Sequence, residues 1–345
     1  MSDYIISKLI LDTLLESEKI SVIDCGARGG GERQWSSLTN NMILYGFDPD
    51  KDECDHLNEQ AKNKGLDHFY YPLCLAENND KNRDFYIAKC CDSSSLYPPN
   101  EELLKRFKQS VWGKTVYTFD SLKTDKIEKV STTSLDIWAE ENNIKEVDFI
   151  KLDVQGAELE VLKGGKKLLK STLGLNIEVW FLPLYRGIPL FSDIDSFVRS
   201  EDFDFYSMHT YTSGQFVGRK SSPVMFDRVN TFWEQQLAGQ LVTTDAFFLK
   251  DPIQRAIPSM DNNKILKLSC IAEISEQIEY AFELLSYLKK KLDVEGEDKK
   301  SRLVNDIYRI AAKKYGRKKK IIYLKKDLEN RVFQPIKKMK KRFLG

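Results

Sequence analysis

Short apolar runs rich in β-branched and aromatic residues alternate along the chain with polar segments that suit helices. Seven of these runs predict core strands, over residues 19–24, 42–48, 68–75, 147–153, 174–181, 202–208 and 245–250. Three further runs, at 83–89, 115–119 and 129–135, predict strands inserted between the third and fourth core strands. Strands that alternate with helices are typical of βαβ units. The pattern therefore predicts an α/β fold, with a doubly wound and mostly parallel sheet, over residues 19–252.

The two ends of the chain have helical rather than strand-like patterns. Residues 1–18 predict an amphipathic helix before the first strand. Residues 253–312 predict a helical hairpin, because apolar residues from Ile271 to Leu292 fall at helical spacing and Leu303 begins a second such series. We expect this C-terminal helical extension to pack on the α/β domain or on a second subunit.

Residues 313–345 carry most of the positive charge. They contain 14 Lys or Arg residues against Asp327 and Glu329, a net charge of +12. The whole chain has a net charge of +1, which leaves −11 for residues 1–312. Such an asymmetry predicts contact with an anionic surface, and the apolar residues within this segment favour a membrane over nucleic acid. The alternative is a solvated helix that pairs with a second subunit.

Several protein classes are disfavoured by the composition. The sequence has no run of about 18 apolar residues of the kind that spans a bilayer. Its first twenty residues contain acids and no small-residue cleavage site, which argues against a secretory signal. The six cysteines form no CxxC pair and have no histidine partners at zinc spacing. We therefore expect a reduced, cytoplasmic protein without structural zinc, placed peripherally at the inner face of the membrane if the basic tail binds lipid.

A glycine-rich loop follows the first predicted strand. The run VIDCGARGGG places Asp24 at the strand end, with Gly26 and Gly29 directly after it. Glycines let the backbone turn sharply and approach a ligand closely. The second strand ends in GFDPD, and an acid such as Asp48 at that position grips the hydroxyls of a nucleoside ribose.

Two cofactor classes fit this geometry, a dinucleotide and S-adenosylmethionine. A pyrophosphate bound at the loop would be repelled by the Asp24 carboxylate. S-adenosylmethionine has no phosphate, and its ammonium group suits an acid. The loop reads D-x-G-x-x-G rather than the dinucleotide spacing G-x-G-x-x-G, so S-adenosylmethionine is the preferred cofactor. A dinucleotide-dependent oxidoreductase stays as the alternative enzyme class.

Seven segments in order resemble the FkbM family of S-adenosylmethionine-dependent methyltransferases. They are VIDCGARGG, GFDPD, SSSLYPP, TSLDIWAE, DFIKLDVQGAELEVLKGG, NIEVWFLPLY and TDAFFLK, between about residues 20 and 250. The resemblance implies a class I methyltransferase-like fold and O-methylation of sugars or polyketides. We expect a hydroxyl of a sugar or glycan intermediate, or of another small molecule, as the acceptor.

The resemblance also implies a set of cofactor-binding residues. Asp24 and Gly26 match the first cofactor motif, Asp48 the ribose acid, and Asp153 the acid at the fourth strand. Where many members have Ala-Asn, this chain has Ala27 and Arg28, and Arg28 either pairs with the cofactor carboxylate or points to solvent. The full predicted set is Asp24, Gly26, Ala27, Arg28, Gly29, Asp48, Pro49, Ala76, Ser95 and Asp153.

Three residues near strand ends are candidates for the base that an alcohol nucleophile requires: Asp153, Glu178 and His209. Each has a structural alternative. Asp153 could cap the following helix, Glu178 could pair with a buried Arg or Lys, and His209 could be incidental. A magnesium ion held by Asp153 and Glu178 is a further, less favoured, alternative, since no spaced ligand motif is present. An inactive methyltransferase-like scaffold, docked by its basic tail, is the alternative outside enzymes.

Overall fold

The described part of the chain comprises residues 4–30, 35, 38–112, 115–117, 119–208, 215–221, 240–255 and 260–328 of a computed structural model. Its strands, in chain order, are β1 Ile20–Cys25, β2 Met42–Phe47, β3 His68–Tyr71, β4 Cys74–Leu75, β5 Arg83–Ala88, β6 Phe107–Trp112, β7 Thr115–Tyr117, β8 Thr124–Val130, β9 Thr132–Thr133, β10 Phe149–Leu152, β11 Gly174–Trp180, β12 Phe203–Met208, β13 Gln215–Arg219 and β14 Gln240–Lys250.

Ten helices lie within the same residues. They are α1 Ile5–Thr13, α2 Lys51–Lys64, α3 Glu101–Leu104, α4 Leu135–Glu141, α5 Glu158–Gly164, α6 Lys166–Leu169, α7 Phe191–Ser200, α8 Asn262–Ile274, α9 Ile278–Glu295 and α10 Asp298–Leu328. No helix in the described residues is long and apolar enough to cross a lipid bilayer.

The main sheet contains ten strands in the order β3-β2-β1-β10-β11-β14-β13-β6-β7, with β12 also paired to β14. The five strands from β3 to β11 run parallel, whereas β14 is antiparallel to β11. The chain thus begins near the middle of the sheet, builds outward to β3, and returns to add β10 beside β1. This confirms the predicted doubly wound, mostly parallel sheet, and it places the carboxyl ends of β1, β2 and β10 side by side.

Helices cover both faces of this sheet. Helices α1, α2, α8, α9 and α10 share one apolar core with β1 and β2, and α4 to α7 share a second core with the opposite face of β1, β10 and β11. Strands β10 and β11 are buried along their whole length, as expected for parallel strands covered on both faces. The predicted C-terminal helical extension therefore forms part of the layer that covers the sheet.

Strands β5 and β8 form a separate two-stranded antiparallel sheet, the β5–β8 sheet, beside the carboxyl ends of the core strands. Arg83 in β5 anchors it, since the guanidinium Nη1 and Nη2 lie 2.5 and 2.7 Å from the two oxygens of Glu160 in α5. A bidentate Arg–carboxylate pair fixes orientation as well as distance. The Tyr97 hydroxyl bonds the same carboxylate, so the β5–β8 sheet is held against α5.

One buried carboxylate links α1 to the C-terminal helices. The two oxygens of Glu273 in α8 each accept a backbone N–H of α1, from Ile6 and Ser7, at 2.7 Å. The Ser7 hydroxyl donates to the same carboxylate at 2.6 Å, and so does the Tyr315 hydroxyl of α10. Because the first N–H groups of a helix have no partners within it, Glu273 satisfies two donors that would otherwise be buried unpaired.

Some predicted boundaries differ from the structure for identifiable reasons. The run over 68–75 is two strands, β3 and β4, because Pro72 between them has no N–H to donate. The run over 129–135 covers the end of β8 and the short β9, and the strand stops at Ser134, whose hydroxyl accepts the Ile137 N–H at 3.3 Å and begins α4. The helical pattern from Ile271 to Leu292 is two helices, interrupted at Glu276, which has φ +62°. Strands β6 and β13 were not predicted.

Candidate active site

The loop after β1 crosses the loop after β10 in direct contact. Gly26 has φ +82°, and a Cβ atom added to it would lie 2.0 Å from the Asp153 carbonyl oxygen. The Asp153 N–H donates to the Cys25 carbonyl at 3.0 Å, so the two loops are bonded where they cross. Only glycine combines this backbone conformation with this close approach. Gly26 therefore brings the ends of β1 and β10 together.

Asp24 and Lys151 form a buried ion pair between these two strands. Their side chains are 4% and 11% exposed, and Lys151 Nζ lies 3.1 Å from Asp24 Oδ1. Burial raises the pKa of Asp24, and Lys151 opposes that shift. Lys151 also donates to the Gly26 carbonyl at 3.2 Å and lies 3.8 Å from Asp153 Oδ2. The ammonium group therefore positions the glycine loop and compensates the charge of Asp24.

Asp48 occupies the end of β2, as the sequence predicts for a ribose-binding acid. It is buried, and its Oδ1 accepts the Asp50 N–H at 2.9 Å. Arg28 Nη2 lies 3.4 Å from Asp48 and 2.8 Å from Asp50, so Arg28 reaches back to these acids rather than into solvent. Burial raises the pKa of Asp48, against the effects of the Asp50 N–H and of Arg28.

Asp153 does not cap the next helix. Helix α5 begins at Glu158, and Ala157 occupies its N-cap position. The Asp153 side chain is 41% exposed and accepts the Gln155 side-chain amide at 2.8 Å. The local N–H groups of Val154 and Gly156 are taken by Glu158 instead, at 3.0 and 3.1 Å. Asp153 thus remains available to a ligand at the carboxyl end of β10.

Gln155 joins the two carboxylates that the sequence singles out as bases. Its Nε2 donates to Asp153 Oδ1 at 2.8 Å and to Glu178 Oε2 at 2.9 Å. Its Oε1 lies 3.0 Å from the Tyr185 hydroxyl. The backbone of Gln155 has φ +55°, a conformation that costs a non-glycine residue about 1–2 kcal/mol. These hydrogen bonds hold it there.

Glu178 lies on β11, directly opposite Asp245 on β14. Burial raises its pKa well above the usual range, and the neighbouring carboxylates of Asp153, Glu158 and Asp245 add to that effect. Among the described residues no Arg or Lys pairs with Glu178, so the structural alternative of a buried ion pair is not observed. Burial likewise raises the pKa of Glu158 to about 7.

These side chains line one cavity of about 880 Å³ at the carboxyl ends of β1, β2, β10 and β11. It is bounded on one side by the β5–β8 sheet, through residues such as Phe85, Lys126 and Val130. Seven of the ten predicted cofactor residues line it: Asp24, Gly26, Arg28, Gly29, Asp48, Pro49 and Asp153. Glu178 lines it too, whereas Ala27, Ala76 and Ser95 are buried and do not line it. His209 lies outside the described residues.

The cavity fits S-adenosylmethionine in size and in the groups that it offers. A volume of 880 Å³ lies within the range of small-molecule sites, about 300–1,000 Å³. At Gly29, φ is +78° and no atom lies within 4 Å of an added Cβ, so the backbone of the loop is open to a ligand. The described residues contain no group of three or more His, Cys, Asp or Glu side chains arranged to hold a metal ion.

Two residues of the site were not predicted from the sequence. Lys151 is a charged residue inside the apolar run FIKL, and a buried charge requires a partner. That feature marks it as exceptional, although it does not identify Asp24 as the partner. Gln155 follows Asp153 in the most family-specific segment, but no property of a lone glutamine predicts a bridge between two acids.

Comparison with known proteins gives one family and one curated relative. The sequence model of the methyltransferase FkbM domain matches residues 24–205. The 2-O-methyltransferase NoeI of Sinorhizobium fredii is 28% identical over 194 residues, which cover 53% of this chain and 73% of that protein.

The solved structures that match this chain are distant from it. Magnesium protoporphyrin IX methyltransferase from Synechocystis PCC 6803, with bound S-adenosylmethionine, is 12% identical, with a TM-score of 0.32 over 72% of this chain and 77% of that one. A TehB-like methyltransferase from Corynebacterium glutamicum is 10% identical, with a TM-score of 0.30 over 72% of this chain and 89% of that one.

Proposed function

The chain belongs to the FkbM family of methyltransferases, and we propose that it transfers a methyl group from S-adenosylmethionine to a hydroxyl oxygen of a sugar or glycan intermediate. The observation that carries this proposal is the pair of carboxylates, Asp153 and Glu178, held by one Gln155 amide at the cavity wall. The similarity to a 2-O-methyltransferase supports oxygen as the acceptor atom. Membership of this family disfavours the alternative of a dinucleotide-dependent oxidoreductase.

The cofactor would lie along the carboxyl ends of β1 and β2. Asp48 would accept hydrogen bonds from the ribose hydroxyls, and the open backbone at Gly29 would face the amino-acid portion. When bound, S-adenosylmethionine supplies a methyl group on a positively charged sulfur. The protein must then hold an acceptor oxygen in line with that methyl group, and positioning alone accounts for a large part of such catalysis.

An alcohol must also lose its proton, and we assign that proton to the Glu178 carboxylate. Burial raises the pKa of Glu178, so the ionised carboxylate, which is the form that can accept the proton, is a stronger base than an exposed one. Gln155 holds it in place through Nε2 at 2.9 Å, which limits the orientations it can adopt. Asp153, which is more exposed, would accept a hydrogen bond from the acceptor and so orient its oxygen.

Calorimetric titration with S-adenosylmethionine tests cofactor binding. We expect binding heat from the wild-type protein, and an affinity about 5- to 150-fold weaker for Asp48→Asn, because charged hydrogen bonds are worth about 1–3 kcal/mol. Asp55→Asn is the matched control, since Asp55 is an exposed acid on α2 that does not line the cavity. Absence of heat from the folded wild-type protein would favour the scaffold alternative.

Turnover of the Glu178→Gln and Asp153→Asn variants tests the proton transfer. With labelled S-adenosylmethionine and a panel of methyl glycosides, we expect Glu178→Gln to reduce methyl transfer by about 10²- to 10⁴-fold while binding the cofactor normally. Asp153→Asn should fold normally and transfer more slowly. Wild-type rates from Glu178→Gln would remove Glu178 as the base and return that role to Asp153 or His209.

A further inference from the structure

Two of the segments that carry the family resemblance, SSSLYPP and NIEVWFLPLY, meet at Gln155. The Ser95 hydroxyl of the first segment donates to the Gln155 carbonyl oxygen at 2.6 Å. The Tyr185 hydroxyl of the second segment lies 3.0 Å from Gln155 Oε1 and 2.8 Å from the Ser93 carbonyl oxygen. Both the backbone and the side chain of Gln155 are therefore bonded by residues from outside its own loop.

The Gln155 amide has one orientation that suits all of these neighbours. Ionised Asp153 and Glu178 can only accept hydrogen bonds, so the NH₂ group of the amide must face them. Its Nε2 lies 2.8 and 2.9 Å from the two carboxylates, which gives one N–H to each. The amide oxygen then faces the Tyr185 hydroxyl, which can donate to it. Tyr185 therefore restrains the amide at the end opposite the carboxylates.

The ring of Tyr185 is held in place independently of its hydroxyl group. Tyr185 is 1% exposed and packs edge-on against Trp180, with the ring centroids 5.5 Å apart. The next residue, Arg186, donates its backbone N–H to the Pro98 carbonyl at 2.8 Å. Phenylalanine at position 185 would therefore keep the packing and remove only the hydroxyl group.

We propose that Tyr185 is a positioning residue for Glu178 and acts through the Gln155 amide. The proposal rests on the proposed function, in which Glu178 takes the proton of the acceptor. Tyr185 does not line the cavity, whereas Gln155 and Glu178 do, so its hydroxyl group reaches the reaction only through Gln155. A small displacement of a positioned group lowers the rate strongly, which makes the restraint on the amide important for turnover.

The restraint on the amide can be measured without methyl transfer. In protein made with isotopically labelled glutamine, the side-chain amide signal of Gln155 is identified by its absence from Gln155→Asn. We expect its N–H protons to exchange with water at least about tenfold faster in Tyr185→Phe than in the wild-type protein, because the amide can then leave the carboxylates more often. Equal exchange rates in the two proteins would overturn the proposal.

Tyr280→Phe is the matched control for this variant. The buried Tyr280 hydroxyl donates to the Lys250 carbonyl at 2.7 Å, and neither residue lines the cavity. We expect Tyr280→Phe to leave the exchange of the Gln155 amide protons and the turnover per folded molecule unchanged. Faster exchange in both variants would mean that the loss of any buried tyrosine hydroxyl loosens the loop, which would overturn a specific role of Tyr185.

Steady-state kinetics with a methyl glycoside acceptor separates positioning from binding. We expect Tyr185→Phe to lower kcat about tenfold, while KM for the acceptor and the affinity for S-adenosylmethionine change less than about twofold. A raised KM with unchanged kcat would show that Tyr185 shapes the binding site instead. Absence of turnover in the wild-type protein would overturn the proposed function, but not the restraint that the exchange rates measure.

Combining Tyr185→Phe with Gln155→Asn tests whether the effect passes through the amide. Asparagine tolerates the positive φ of this position, but its side chain is one methylene group shorter and no longer spans from Tyr185 to both carboxylates. We expect the double variant to be no slower than Gln155→Asn alone, because Tyr185 then has no amide to position. Losses of kcat that multiply would show that Tyr185 acts by another route and would overturn the proposal.

Discussion

At the scale of single residues, Glu158 and Glu178 are buried carboxyl groups with different partners. Glu158 accepts two backbone N–H groups of the loop after β10, and Glu178 accepts only the Gln155 amide among the contacts described. Burial raises the pKa of both. Glu158 therefore stabilises the loop, and Glu178 faces the cavity where a proton can be exchanged.

The raised pKa of Glu158 predicts how stability depends on pH. The folded protein holds this proton to about pH 7, whereas the unfolded chain releases it near the ordinary value of 4.5. The stabilisation that this protonated carboxyl group contributes is therefore fully present below pH 4.5 and is lost as the pH rises through about 7. The loss is up to about 3 kcal/mol. Glu158→Gln keeps an acceptor for Val154 and Gly156 but cannot ionise.

Urea denaturation at roughly pH 5 and pH 8 checks this expectation. Glu158→Gln should gain stability relative to the wild-type protein at the higher pH and lose that advantage at the lower pH. The exposed Glu140→Gln is the control and should show no such dependence. A constant difference between Glu158→Gln and wild type at both pH values would contradict the prediction.

The sequence predicted which acids lie at the ends of parallel strands. Asp24, Asp48 and Asp153 end parallel strands, and the edge of such a sheet brings those ends together. Lys151 and Gln155 could not be predicted, because their roles depend on which side chains face them across strands and loops. Register and loop conformation decide that, and neither is visible in the pattern of apolar residues.

At the scale of elements, α1 depends on the C-terminal helices for its stability. A helix of nine residues is too short to persist alone. We expect Glu273→Ala to destabilise the protein by about 3–5 kcal/mol, because buried N–H groups of α1 and two hydroxyls lose a charged partner. Urea denaturation measures the loss. Limited proteolysis should then cut first near α1.

Glu279→Ala is the control for that experiment, since Glu279 is exposed in the first turn of α9. If the protease first cuts at a site away from α1, or if Glu273→Ala is as stable as Glu279→Ala, then apolar packing alone holds α1.

Element boundaries were the least predictable part of the fold. The break between α8 and α9 depends on one residue with positive φ, whereas the apolar spacing continues across it.

At the scale of the whole molecule, α10 presents an exposed basic face. Val304, Ile307 and Ala311 are buried toward the other helices. Up to residue 317, the exposed side chains include two acidic ones, Asp298 and Asp306, and two apolar ones, Leu303 and Ile310. Six exposed side chains are basic: Lys299, Arg302, Arg309, Lys313, Lys314 and Arg317. We propose that this face and the basic residues after it bind an anionic membrane surface.

Sedimentation with phosphatidylglycerol-rich vesicles tests that proposal. Each Lys or Arg near an anionic surface contributes about 1 kcal/mol, so replacing Arg302, Arg309 and Lys313 by Gln should weaken binding more than about 100-fold. The control variant replaces three exposed lysines elsewhere, Lys51, Lys62 and Lys81. Equal pelleting of both variants, pelleting with neutral vesicles, or tighter binding to duplex DNA would contradict the membrane assignment.

The contact between Glu273 and α1 also determines when α1 can be stabilised during synthesis of the chain. Its partner Ile6 lies 267 positions earlier in the chain. At a synthesis rate of about 5–20 residues per second, roughly 13–53 seconds separate the two on the ribosome. During that interval α1 has no partner for its first N–H groups, and its four buried apolar side chains, Ile5, Ile6, Ile10 and Leu11, are exposed to solvent. The nascent chain therefore exposes the apolar side chains of α1, which chaperones can bind until α8 has been synthesised.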